Sequence, residues 1–203
     1  MKDFIENIQR QIEADPVLLK YKQSVQKILS KERYVHSLAC AAIAAKIARD
    51  HNLQKEVIEK CLAAALLHDI TKEFKPKDHQ DLMEKQNQVD ELSGFPKSLW
   101  HAITGRVYVQ TRLQIEDSEI LEAIRFHTTG SPHMGKIARI IYAADYFGSE
   151  FMMLQGFDLN RSIDTLCLEK TTSSLVYLVE KNKPVHHDTI DFYHHLIERV
   201  HGE

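Results

Sequence analysis

The stretch Cys61-Leu62-Ala63-Ala64-Ala65-Leu66-Leu67-His68-Asp69-Ile70-Thr71-Lys72 decides how this chain is read. Its first seven residues are apolar on every side of a helix, and a helix without a polar face is a central one. The run then ends on an imidazole and a carboxylate side by side. A buried carboxylate without a partner costs several kcal/mol, so Asp69 calls for a cation or a full set of hydrogen bonds.

Working outward, the pattern is helical throughout. Phe4, Ile5, Ile8 and Ile12 recur at helical spacing up to a break at Asp15-Pro16, which marks a short capping helix. Ser30 is the candidate N-cap of a helix reaching Arg49, with Val35, Leu38, Ala42, Ala45 and Ile47 along it. The central helix is expected over Gln54 to Lys72. A polar connector follows from Glu73 to Gly94, with a short helix around Gln80 to Gln88, and connectors of that length often serve as lids.

Pro96 is expected to start the next helix, through Trp100, His101, Ile103, Val107 and Tyr108. Asp117 or Ser118 caps one carrying Leu121, Ile124 and His127, which Thr128-Thr129-Gly130-Ser131-Pro132 stops. Lys136 to Phe147 repeats the pattern, and two helices around Ile163 to Lys181 and Thr189 to Val200 close the chain. No repeat, low-complexity tract or Gly/Ser linker divides these elements. The expectation is an all-α helical bundle in a single domain over residues 1–203, with a core of about 30–150 and the C-terminal helices 160–201 packed on it.

Bulk composition narrows the function classes. Only 7 Gly and 5 Pro in 203 residues, with 43% hydrophobic and 27% charged, argue against disorder and against a turn-rich β protein. A net charge of −3, from 26 basic and 29 acidic residues mixed along the chain, gives no footprint for a nucleic-acid polymer, whereas a small anionic ligand needs only a few local cations. The 3 cysteines, Cys40, Cys61 and Cys167, are odd in number and widely spaced, which rules out a disulfide scaffold and a zinc ribbon. Residues Met1 to Arg10 lack an apolar export core, and no later apolar run reaches bilayer length. A cytoplasmic protein without a membrane partner is expected; a helical domain of this size is compatible with a homodimer, although no apolar stripe marks an interface.

The companions of His68 and Asp69 are His36, His101, His127 and Asp145, each in a segment that reads as a helix. A catalytic ion takes about three or four protein ligands, so this set exceeds the needs of one. Two ions bridged by Asp69 would use it all, one held by His36, His68 and Asp145 and the other by His101 and His127. Imidazole and carboxylate suit Fe, Mn, Co, Ni and Zn, and a hydrolytic site follows naturally. Lys72 would face the same site if the central helix continues that far, as would Arg33, three residues before His36; both side chains suit phosphoryl oxygens. Lys72 also fits the plainer role of a cation at a helix C-terminus. His51, His79, His133, His186, His187, His194, His195 and His201 read as helix-end or solvent-facing residues.

At these positions the chain resembles the HD-domain superfamily of metal-dependent phosphohydrolases, and more closely the bacterial HD-domain symmetrical bis(5′-nucleosyl)-tetraphosphatases. The matching stretches are Arg33-Tyr34-Val35-His36-Ser37, Leu66 to Lys72, the His101 helix, Ile124-Arg125-Phe126-His127-Thr128-Thr129-Gly130 and Ile141-Tyr142-Ala143-Ala144-Asp145. The resemblance implies an all-α fold and two divalent ions, iron foremost with Mn or Co as alternatives. It also implies cleavage of diadenosine tetraphosphate to two ADP by a metal-bridging hydroxide. His36, His68, Asp69, His101, His127 and Asp145 are then the metal ligands, Asp69 and Lys72 the catalytic residues, and Arg33, Lys72, Thr128 and Thr129 the substrate contacts. The family's acidic-Pro-x-Arg segment after the last Asp is replaced here by Tyr146-Phe147-Gly148-Ser149-Glu150-Phe151, which bears on the choice of nucleotide. The rival readings are a one-metal nucleotidase using His36, His68, Asp69 and Asp145, a hydrolase of a guanosine alarmone or cyclic dinucleotide, and a nucleotide sensor without turnover.

Overall fold

Small side chains set how closely the central helices approach. A computed structural model describes residues 2–150 and 158–202, and among them every regular element is helical. Helix α1 spans Lys2–Ala14, α2 Pro16–Ile28, α3 Lys31–Asp50, α4 Lys55–Leu67 and α5 Pro76–Glu84. Two 3₁₀ turns, Val89–Leu92 and Lys97–Leu99, lead to α6 (Trp100–Arg112), followed by α7 (Ser118–Phe126), α8 (Lys136–Glu150), α9 (Ile163–Glu180) and α10 (His187–His201). The all-α expectation is met.

Helix α3 packs against both α4 and α8, and α7 closes the other side of α4 and α8. The faces in contact are rich in alanine: Ala41, Ala42, Ala44, Ala45 and Ala48 of α3, Ala63 to Ala65 of α4, and Ala138, Ala143 and Ala144 of α8 are all buried. Helices α1 and α2 lie over α3 and α4, α5 and α6 pack together beside α7, and α9 covers α8 with α10 on its flank.

Two glycines explain local geometry. A Cβ on Gly148 would sit 2.8 Å from Cys40 Sγ and 3.0 Å from the Cys40 backbone nitrogen, so α8 and α3 touch almost backbone to backbone. That contact lies one turn from both Asp145 and His36 and brings those two side chains together. Gly130 has φ of +68°, and a Cβ there would run into the Phe192 ring of α10, so the stop after α7 is built around it.

Several boundaries differ from the sequence reading. The break at Asp15-Pro16 ends α1 as expected, but the same pair also begins α2, which the sequence pattern did not reveal: the Asp15 carboxylate accepts from the Val17 and Leu18 amides, and Pro16 takes the first helical position. The central helix stops at Leu67 instead of Lys72. Residues 68–74 turn tightly, with amides of Ile70 and Lys72 bonded to the carbonyls of Leu67 and Asp69 at 3.0 and 2.8 Å. The connector's helix is Pro76–Glu84, earlier than expected, because Pro76 starts it and the Asp78 carboxylate accepts from the Lys75 amide. Pro96 leads into a 3₁₀ turn before α6 begins at Trp100. Phe151, the last residue of the segment that departs from the family pattern, lies outside the described residues. No helix among those described is long and apolar enough to cross a membrane.

Gly148→Ala is therefore expected to push α8 off α3 and to lower the stability of metal-free protein by about 1–3 kcal/mol, read by urea denaturation. A change within experimental error would contradict the close packing assigned to this pair.

Candidate metal centre

Six side chains from five parts of the chain converge at one end of the α3, α4 and α8 contact. His36 comes from α3, His68 is the C-cap of α4 with Asp69 next to it, His101 opens α6, His127 is the C-cap of α7 and Asp145 comes from α8. His68 and His127 are placed alike. Each donates its Nδ1–H to the carbonyl three residues back, Ala65 and Ile124 respectively, at 2.7 Å. A carbonyl can only accept, so both rings carry the proton on Nδ1 and turn an Nε2 lone pair inward.

Asp69 is at the middle and only 2% exposed. Its Oδ2 faces His68 Nε2 at 3.5 Å and His36 Nε2 at 3.9 Å and accepts from Arg33 at 3.0 Å. Its Oδ1 faces His101 Nε2 at 3.3 Å and His127 Nε2 at 3.4 Å, with the Lys72 ammonium at 3.8 Å. Asp145 Oδ1 lies 3.1 Å from His36 Nε2 and 3.5 Å from His68 Nε2.

The donor chemistry calls for a cation. His68 Nε2 and Asp69 Oδ1 are buried without a hydrogen-bond partner, a costly arrangement for a polar atom in a packed interior. His101 and His127 present their Nε2 atoms to each other at 3.1 Å, while the Lys72 ammonium stands 3.0 Å from His101 Nε2. If His101 accepts from Lys72, two lone pairs face each other; if it donates to His127, an N–H faces the ammonium. An ion taking both lone pairs removes the conflict, and imidazole nitrogens at about 2.0–2.1 Å from one ion lie about 3 Å apart. The residues fit a metal.

The protonation states agree. Burial would raise Asp69, but His68, His127 and Lys72 hold its carboxyl well below the usual range. Burial is likewise overcome at Asp145, by Lys170, His36 and His68. Burial and the neighbouring Lys72 push His101 well down, and burial lowers His127, so both stay neutral with lone pairs available. His68 is raised in spite of burial, because Asp69 and Asp145 favour a positive charge beside its Nε2, a charge that an ion there would supply in place of a proton.

Lys72 reaches this cluster from the turn after α4 and not along a helix face, so the expected neighbourhood holds on a different backbone. Arg33 also reaches it, through Asp69 Oδ2. The Thr129 hydroxyl is buried and bonded to the Gly130 carbonyl at 3.0 Å, which makes it part of the turn, while the Thr128 hydroxyl is buried without a partner. From the departing segment, the Ser149 hydroxyl lies 3.4 Å from His36 Nδ1.

The sequence reading missed Lys170. This lysine of α9 is 5% exposed; its ammonium donates to Asp145 Oδ2 at 2.8 Å and to the His127 carbonyl at 2.7 Å, and sits 4.1 Å above the Tyr142 ring. Its signal was present, since it continues the partly buried Ile163 and the buried Leu166 and Cys167 at helical spacing, where a charge is out of place. Two histidines read as solvent-facing or helix-end are buried. His79 bonds Thr104 Oγ1 at 2.7 Å, and His186 stacks on Phe95 at 4.2 Å and caps α10. Asp188 also pairs with His187 at 3.1 Å, a partner that sequence spacing had not suggested.

A sequence profile described as "HD domain" matches residues 33–149. Three proteins named symmetrical bis(5′-nucleosyl)-tetraphosphatase are similar along most of their length. The one from Halalkalibacterium halodurans is 33% identical over 188 residues, covering 88% of this chain and 96% of its own. The Bacillus subtilis protein is 30% identical over 182 residues, covering 85% and 94%, and that of Staphylococcus aureus 27% over 191 residues, covering 89% and 96%. A crystal structure from Clostridium acetobutylicum, described as a predicted HD superfamily hydrolase involved in NAD metabolism, superposes with a TM-score of 0.73 at 26% identity, covering 89% of this chain and 96% of that one.

Replacing Lys170 by Met strips Asp145 of its countercharge and the His127 carbonyl of its donor. Metal-free K170M is expected to lose about 2–3 kcal/mol of unfolding free energy, measured by chemical denaturation; a loss below about 0.5 kcal/mol would show that the ammonium contributes only packing.

Proposed function

The chain belongs to the HD-domain family, and from that membership we propose that it is a metal-dependent phosphohydrolase cleaving diadenosine tetraphosphate symmetrically into two ADP. The similar proteins that carry this activity in their names support the substrate. The observation that carries the metal assignment is the division of labour at Asp69. Its two oxygens face two different pairs of imidazoles. In the proposed arrangement His36, His68 and Asp145 would hold one divalent ion and His101 and His127 a second, with Asp69 available to both. Iron is the proposed native metal; Mn and Co suit the same donors.

When bound, such ions neutralise phosphoryl oxygens and lower the pKa of water so that hydroxide is available near neutral pH. The protein's own part is charge and position. Lys72 faces His101 Nε2 at 3.0 Å; with that lone pair given to an ion, the ammonium would be available to an oxygen of the polyphosphate. Arg33 uses one N–H on Asp69 and keeps others for the same purpose, with about a third of its side chain exposed. Lys170 fixes Asp145 from behind and so aims its Oδ1 at His36 and His68. Hydrolysis adds one water across the bond between an inner phosphorus and the central bridging oxygen, so each half leaves as ADP. That leaving group is anionic and, once its charge is offset, needs no proton donor of its own, which leaves positioning and electrostatics to the site. The three buried free cysteines suit a reducing compartment, and the cytoplasm is the proposed location.

Chromatography of products after anaerobic incubation of diadenosine tetraphosphate with the protein and Fe²⁺ or Mn²⁺ tests this reading. ADP is expected as sole product, with at least a thousandfold less, roughly, from Asp69→Ala. AMP together with ATP would contradict symmetrical attack, and undiminished turnover by the variant would contradict the role given to Asp69.

A further inference from the structure

A cavity of about 230 Å³ adjoins the metal centre and shares two of its residues, Lys72 and His101. It opens between the turn after α4 and the 3₁₀ turn before α6. Away from the ligands its walls change character. Lys72 is succeeded by Phe74, Pro76 and Trp100, with the exposed Lys97 and Ser98 at the rim. The half-buried Phe74 is braced in place. Its ring meets Tyr108 edge-on at 5.8 Å and His79 at 5.7 Å, and His79 is anchored in turn to Thr104 Oγ1 at 2.7 Å. Trp100 is fixed by its indole N–H on the Phe95 carbonyl at 3.0 Å, and the Lys97 ammonium lies 5.9 Å from its ring centroid.

That order, ligands, then a cation, then aromatic walls with a second cation, is the order of a phosphate chain ending in a nucleoside. We propose that this cleft seats one nucleoside end of the substrate, the base against Phe74 and the intervening phosphates between Lys72 and Lys97. The proposal rests on the dinucleotide reading above and adds to it a specificity site. The cavity is smaller than the ~300–1,000 Å³ of sites that enclose drug-sized ligands, so it suits one base and its sugar and leaves the second nucleoside outside. Stacking on a ring discriminates little between bases. A fixed seat for one end does something else: it sets how many phosphates lie between that end and the metals, and hence where the chain is cut.

Two substitutions probe the cleft without touching the ligands. Ser98→Trp fills it from an exposed position, and Phe74→Leu keeps the apolar packing but removes the aromatic face. Both are compared with the parent in manganese-loaded form, by ADP titration calorimetry and by steady-state kinetics on diadenosine tetraphosphate, with metal content and thermal unfolding checked alongside. The expected result is ADP affinity about tenfold weaker and KM about tenfold higher in both variants, with kcat within about twofold and metal content unchanged. ADP affinity and KM within about twofold of the parent in Ser98→Trp would overturn the proposal. Should the parent protein fail to cleave diadenosine tetraphosphate at all, the substrate reading falls, and the ADP titrations alone still decide for or against a nucleotide seat in this cleft.

Discussion

The buried carboxylate of Asp69 is the constraint around which the structure is arranged. It sits 2% exposed at the end of an apolar helix, and four imidazoles, a lysine and an arginine surround it. No single element could supply that company. The alanine-lined contacts of α3 with α4 and α8 bring His36, the His68-Asp69 pair and Asp145 within reach of one another, and α6 and α7 deliver His101 and His127 from the other side. A packing rule, small residues where helices cross, thus becomes a rule about where charge is gathered.

Helix ends do much of the placing. His68 and His127 both stand where a helix stops, and both spend Nδ1 on a carbonyl of the last turn. The same bond that satisfies a helix terminus fixes the tautomer, so fold and site chemistry are served by one interaction. Lys170 works similarly between elements: it links α9 to Asp145 and to the His127 carbonyl, tying both halves of the donor set to the C-terminal part of the chain.

Much of this was legible in the sequence because it follows from pattern and local chemistry. The apolar run before His68-Asp69 marked the centre, alanine spacing marked α3, and the motif order named the six side chains that the structure brings together. What escaped depended on partners distant in sequence or on capping. α2 was missed because Asp15-Pro16 reads equally as a stop and as a cap followed by a first helical residue. The end of α4 was placed too late because residues 68–72 remain partly apolar while the backbone has already turned. In α9 the misplaced charge of Lys170 was visible, but not that Asp145 lies opposite it, and the burial of His79 and His186 depends on partners such as Thr104 and Phe95.

In the proposed centre Asp69 would lie between two cations, one on each side of its carboxylate. Metal-free protein reconstituted anaerobically with Fe²⁺, desalted and assayed by elemental analysis reports the number of ions. Two ions bound per chain are expected. One ion per chain, with His101 and His127 still free to react with a histidine-modifying reagent, would contradict this arrangement.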